Sequence, residues 1–102
     1  MTKRRKSGVK NLPIDEANRI GIVDVAQLLD LGAPVRAGRE FVVSCPLHDD
    51  HHPSCHLNAE KNVWFCHVCQ EGGGTIRLVE RAKGVTFREA VTAMVQWRRP
   101  RT

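Results

Sequence analysis

Four residues constrain this chain more than any others. Cys45-Pro-Leu-His48 is followed, after 17 intervening residues, by Cys66-His-Val-Cys69. A two-residue spacer lets one tight turn present two ligand atoms to a single ion, and a second such turn completes a tetrahedron. Three thiolates and one imidazole leave no open coordination position, so the donor set points to one structural Zn2+ rather than a catalytic metal. The chain has 102 residues, and a core of that size gains much from a metal staple. Residues 1–10 are basic, with no apolar segment behind them, which is not the pattern of a secretory signal. The expectation is a cytoplasmic protein whose cysteines bind metal rather than form disulfides. No apolar run approaches the ~20 residues that span a bilayer.

Other donors lie close by. Cys55 alternates with His56 in a strand-like stretch, so Cys55 is read as a small core residue. His67 sits inside the second turn, where side chains point away from the ion. His51 and His52 follow His48 too closely to join the same turn easily. Asp49 or Asp50 is a candidate to orient the His48 ring from behind.

Charge divides the chain into three parts. Lys3, Arg4, Arg5, Lys6 and Lys10 precede any acid, and Arg98, Arg99 and Arg101 cluster at the other end. Residues 11–97 carry 8 basic and 11 acidic residues, so the net charge of +5 resides at the ends. The expected organisation is a disordered basic arm over 1–11, a folded zinc-ribbon domain over 12–97 and a basic tail over 98–102. Basic ends of this kind bind phosphate backbones without sequence preference, and also serve as plain solubilising tails.

Within the folded part, Asn11 is a candidate cap for a short helix, Pro13 suits its first turn, and Asp15 and Glu16 suit its positive end. Ile22, Val25, Ala26 and Leu29 fall on one helical face, with Gly32 and Pro34 as stops. Glu40–Ser44, Ser54–Asn58 and Asn62–Cys66 read as strands, the last two as a hairpin about a polar turn. Gly72, Gly73 and Gly74 read as a break before a helix over about Thr75–Lys83 that Gly84 stops. Thr86 and Glu89 fit a capping box, and Val85 with Ala90 a hydrophobic staple, at the start of a last helix with Phe87, Ala90, Val91 and Met94 on its apolar face. The fold class expected is α+β: a small zinc ribbon, its antiparallel sheet flanked by short helices.

Cys45-Pro-Leu-His48, His52-Pro-Ser54, Trp64-Phe65-Cys66-x2-Cys69, Gly73-Gly74 and Val85-Thr-Phe87-x-Glu89-Ala90-Val91, in this order and preceded by Ile22-Val-Asp-Val25, resemble the zinc-binding domain of bacterial DnaG-type DNA primases. The likeness runs from about Leu12 to Met94. It implies an antiparallel sheet with zinc at one end, and a role in contacting single-stranded template DNA where primers begin. Departures are Leu47 where that family has Phe, His67-Val68 where it has Phe-Gly, Cys55 where Phe is usual, and Val42-Val43 where Lys-Gly is common. The expectation is therefore a non-enzymatic module: nucleotidyl transfer needs a carboxylate cluster holding magnesium ions, and the acids here are scattered.

Single strands are held by basic grooves and aromatic platforms. Candidates for nucleic-acid contact are Arg36 and Arg39 before the first strand, Lys61 in the hairpin turn, Trp64, and the arm residues Lys3, Arg4, Arg5 and Lys6. Trp64 and Phe65 are neighbours in a strand and point to opposite faces. Leu57 and Phe65 are assigned to the core and Trp64 to the stacking surface, with Trp64 facing the helices as the competing arrangement. Trp97 packs the last helix or meets a partner. The leading reading is a DNA-binding replication module acting in trans with a primase, helicase or polymerase, or serving a plasmid, phage or other mobile element. The alternative is a protein-interaction or transcription-regulatory zinc ribbon.

Overall fold

The computed structural model describes residues 12–48 and 53–98. The element order is α1 (Ile14–Asn18), α2 (Ile22–Leu28), β1 (Val35–Ala37), β2 (Glu40–Val43), β3 (Cys55–Asn58), β4 (Val63–Cys66), β5 (Glu71–Gly73), α3 (Thr75–Lys83) and α4 (Phe87–Arg98). The five strands form one antiparallel meander in the order β1-β2-β3-β4-β5. The α+β class and the antiparallel sheet flanked by short helices are as expected.

Two strands were not legible in the sequence. β1 is an exposed edge strand of three residues, Val35, Arg36 and Ala37, with no alternation to announce it. β5 contains two of the three glycines read as a break. Gly72 belongs there because the β4 backbone passes so close: a Cβ at Gly72 would lie 2.4 Å from the Trp64 carbonyl oxygen and 2.9 Å from the Phe65 ring. Only hydrogen fits, so a residue type with poor strand propensity is the one that allows this pairing.

The helices cover one face of the sheet. Ile22, Val25 and Ala26 of α2 are buried, as are Ile76, Leu78 and Val79 of α3 and Ala90, Val91, Met94 and Val95 of α4. They pack against Val43, Cys55, Leu57, Trp64 and Cys66 from the sheet. The apolar face of α2 thus lies where periodicity put it, and α3 occupies the span expected between the glycines and Gly84. Phe87 differs: it is exposed, and Val95 completes the apolar face of α4 instead.

The ends of the elements follow local chemistry. At α4 the capping box is complete: the Thr86 N–H donates to Glu89 Oε1 at 2.9 Å, and the Glu89 N–H to Thr86 Oγ1 at 3.1 Å. Gly84 ends α3 in the left-handed region at φ 65°, which glycine adopts without steric cost. Pro13 stands at the N-cap of α1, and Asn11 lies outside the described residues. α2 starts at Gly21 with no side-chain cap of its own. Its first donor is satisfied from far along the chain: the Ile22 N–H donates to Asn62 Oδ1 at 2.7 Å. Asn62 Nδ2 in turn donates to the carbonyls of Asn18 at 3.2 Å and Ile20 at 3.0 Å. Asn62 sits in the β3–β4 turn at φ 61°, a conformation Asn tolerates better than most side chains. One residue thereby locks the α1–α2 elbow to the sheet.

Candidate metal centre and the open face of the sheet

The metal ligands come from two turns at one end of the sheet. Cys45 and His48 follow β2, and Cys66 to Cys69 closes β4. Pairing of β2 with β3 and of β3 with β4 sets Val43 beside Cys55 and Cys55 beside Cys66, which carries both turns to the same end. The ligand atoms of Cys45, His48, Cys66 and Cys69 all lie within 4.8 Å of one another, and among the described residues no other such group exists. Cys45 Sγ and Cys69 Sγ are 3.7 Å apart, close to the ~3.8 Å that two sulfurs span across a tetrahedral ion at Zn–S ~2.3 Å. His48 Nδ1 faces Cys69 Sγ at 2.9 Å. The set therefore fits one zinc ion held structurally.

Backbone and hydroxyl donors surround the sulfurs. The Leu47 N–H donates to Cys45 Sγ and the Cys69 N–H to Cys66 Sγ, each at 3.4 Å. Ser54 Oγ lies 3.4 Å from Cys66 Sγ. These contacts hold ligand orientation and disperse thiolate charge. Burial pushes the Cys45 thiol up to about 12, with Leu47 only partly offsetting it. Burial also raises Cys69 above its ordinary value. At Cys66 burial is outweighed by the Ser54 hydroxyl and the Cys69 N–H, and the thiol comes down to about 7. Crowded thiols of this kind resist ionising together unless a cation joins them, which is the behaviour of a metal site. Cys55 is buried in the core, and His56 and His67 face away from the cluster on the other side of the sheet. Asp49, Asp50, His51 and His52 lie outside the described residues.

The two faces of β4 correct one assignment. Trp64 is 2% exposed and Phe65 39% exposed, the reverse of the arrangement expected. Trp64 pairs with Leu57 on the helix side, and its indole Nε1–H donates to the Gly74 carbonyl at 3.0 Å. Trp64 is therefore a core residue and offers no ring to a base. The signal was present: Trp64 and Cys66 are two apart in one strand, so they share a face, and the buried ligand Cys66 takes Trp64 inward with it. Leu57 is buried as expected.

On the opposite face Phe65 stands with two histidines. The Phe65 and His67 rings are 5.2 Å apart and those of His56 and His67 4.7 Å apart, both edge to face. Glu40, Asn58, Lys61 and Val63 complete a shallow open groove of about 290 Å³ around them. His56 Nδ1 is 3.0 Å from Glu40 Oε1. A carboxylate only accepts, so the ring nitrogen donates.

The predicted basic contacts separate. Lys61 lines this groove at the β3–β4 turn, and Arg39 is exposed in the β1–β2 turn at the same end of the sheet, away from the zinc ligands. Arg36 is paired with Phe41, and its guanidinium sits 5.5 Å over the Phe41 ring. Phe41 shares the face of Leu57 and Trp64, so Arg36 belongs to the opposite side from the groove. Lys3, Arg4, Arg5 and Lys6 lie outside the described residues. Beside the second zinc turn, Arg81 makes a two-pronged ion pair with Glu71, and Arg77 joins at 3.4 Å. The Arg81 partner holds the Glu71 carboxyl below its usual value. No described helix is long and apolar enough to cross a membrane.

Comparison with known proteins agrees with this geometry. The DnaG zinc-ribbon family, described as the CHC2 zinc finger, matches residues 13–99. A DNA primase of Myxococcus xanthus is 41% identical over 56 residues, which is 55% of this chain and 9% of that protein. A DNA primase of Campylobacter jejuni is 31% identical over 86 residues, covering 84% of this chain and 13% of the relative. The crystal structure of the Aquifex aeolicus primase, comprising zinc-binding and RNA polymerase domains, superposes with a TM-score of 0.72 at 28% identity, over 82% of this chain and 21% of that one. The chain thus spans a small fraction of these relatives' length. With a Cys-His-Cys-Cys cluster at the end of a five-stranded sheet and a family match along nearly its whole length, this chain belongs to the CHC2 zinc fingers of DnaG-type primases.

Proposed function

We propose that this chain is a template-contacting module of primer initiation in DNA replication, holding single-stranded DNA on the open face of its sheet. The observation that carries the proposal is the exposed aromatic cluster of Phe65, His67 and His56 on a primase-type zinc ribbon. Unpaired bases stack on such rings at ~1–3 kcal/mol each, whatever their sequence. Lys61 and Arg39 at the far hairpin turns, together with Lys3, Arg4, Arg5 and Lys6, supply charge for the phosphates. Zinc holds the two turns together and so fixes the slope of β4, from which Phe65 projects. It does no chemistry on the nucleic acid. Primer synthesis itself belongs to a polymerase activity outside the matched stretch, with which this module acts in trans.

The test is an anisotropy titration of labelled oligothymidylate against the zinc-loaded protein at several salt concentrations. Phe65→Ala should weaken binding about tenfold while the cooperative melt is kept, and deleting residues 1–10 should flatten the salt dependence. Equal affinity for Phe65→Ala and the parent protein would remove the open face from the account.

A second reading, docking to a replication or transcription protein, rests on a different place. Exposed Leu28 and half-buried Trp97 line a hollow with Arg19, Ile20, Gly21 and Asp24. A pull-down that fails with Leu28→Ser but persists with Phe65→Ala would favour it.

A further inference from the structure

The open groove contains a feature that a surface for phosphates alone would not carry. Glu40 places a carboxylate beside the exposed rings, on the same strand level as Asn58 and on the same face as His56 and Phe65. A negative charge there repels the backbone of any nucleic acid and lowers its general affinity. His56 meets one of the carboxylate oxygens, and the other is open to a ligand group that donates hydrogen bonds. The phosphates and thymine's two carbonyls offer none. The amino and ring N–H groups of a splayed base do.

We infer that Glu40 reads the base laid against Phe65, and that the base it selects is guanine. This rests on the proposal that the open face binds single-stranded DNA, and adds specificity to it. The carboxylate is already aimed: His56 Nδ1–H donates to Oε1 at 3.0 Å, and among the described residues Oε2 has no hydrogen-bond partner. Guanine alone among the four bases presents two adjacent donors, N1–H and N2–H, to a two-oxygen acceptor. Its third Watson–Crick group is the O6 acceptor. Asn58 and Lys61 supply donors on that side of the groove: Asn58 Oδ1 is occupied by the Lys61 backbone N–H at 2.9 Å, which leaves the amide Nδ2 as the group Asn58 offers. Adenine and cytosine each present one amino donor and thymine one ring N–H, so these bases give the carboxylate one hydrogen bond where guanine gives two. That second charge-assisted bond produces the discrimination.

The experiment is an anisotropy titration of the zinc-loaded protein with pentanucleotides dTTXTT, in which X is guanine, inosine base, adenine, cytosine or thymine. The guanine oligonucleotide should bind roughly tenfold more tightly than the others, the low end of a two-bond base contact. Inosine base, which lacks the N2 amino group, should lose most of the gain. Glu40→Gln should erase the guanine preference and at the same time bind the all-thymine oligonucleotide as well as or better than the parent, since a repulsive charge is gone. Glu40→Ala should behave alike. A merely damaged surface would weaken all five together. Absence of a guanine preference, preference for another base, or a guanine preference that survives both variants overturns the assignment of Glu40 while leaving the open-face proposal intact. Failure of every oligonucleotide to bind overturns both.

Discussion

The two faces of the sheet are built from alternate residues of the same strands and do opposite things. On the helix side, Val43, Cys55, Leu57, Trp64 and Cys66 are buried. On the open side, Phe65, Val63, His56 and Asn58 meet solvent, and no described helix covers them. Burying a large apolar side chain is worth ~1.5–3 kcal/mol, so a ring left 39% exposed in the middle of a sheet has forgone part of that gain. Comparing Trp64 with Phe65 shows which face holds the molecule together and which is available to a ligand.

The comparison can be broken at its support first. Removing the zinc by chelation, or Cys66→Ser with Cys69→Ser, should unfold both faces together. Metal binding in zinc-finger peptides contributes ~10–16 kcal/mol to folding, and loss of the cooperative thermal transition by circular dichroism would register it. A melt unchanged by either treatment would mean that the sheet does not depend on the ion.

Next in size, Trp64→Ala should cost ~3–5 kcal/mol in urea unfolding, because it empties the centre of the helix-side core and removes the donor to Gly74. Phe65→Ala should cost under ~1 kcal/mol and act on oligonucleotide affinity instead. Similar stability losses for the two variants would erase the distinction between the faces. Asn62→Ala sharpens the same contrast from the edge. It removes three hydrogen bonds that join the α1–α2 elbow to the β3–β4 turn, and should cost ~1–3 kcal/mol by thermal unfolding while leaving zinc stoichiometry unchanged.

The smallest effect concerns protons. Before the ion is taken up, Cys45 and Cys69 are protonated at neutral pH in either state: in the folded turns burial holds Cys45 up to about 12 and Cys69 above its ordinary value, and in the unfolded chain thiols titrate at about 8.5. Zinc uptake must displace the protons on Cys45 and Cys69. Affinity therefore rises with pH and falls on acidification. Calorimetry in two buffers of different ionisation enthalpy should show proton release accompanying binding, and an identical heat in both would contradict it.

Much of the molecule was legible because its signals are local. The paired ligand spacings, the period of α2, the Thr86–Glu89 box and the Gly84 stop each depend on a few neighbouring residues. β1 and β5 were not legible because neither has an alternating pattern: three exposed residues form one, and two glycines occupy the other. Asn62 was read only as the junction of a polar turn and a strand, since its partners lie some forty residues away. The inversion of Trp64 and Phe65 has a different origin. Size favoured either ring as core, and the parity with Cys66 that decides between them follows only when the strand and the metal site are considered together.

By itself the amino-acid order determined that two short turns would grip one ion, where the helices start and stop, and that β4 would divide its residues between two faces. Those are consequences of ligand chemistry and of backbone periods of 3.6 and 2. Which strands completed the sheet and which turn capped α2 were decided only in the folded molecule. Each depends on groups distant in sequence arriving at one place, where close approach, as at Gly72, and satisfaction of buried donors, as at Trp64 and Ile22, select one arrangement from several that the chain permits locally.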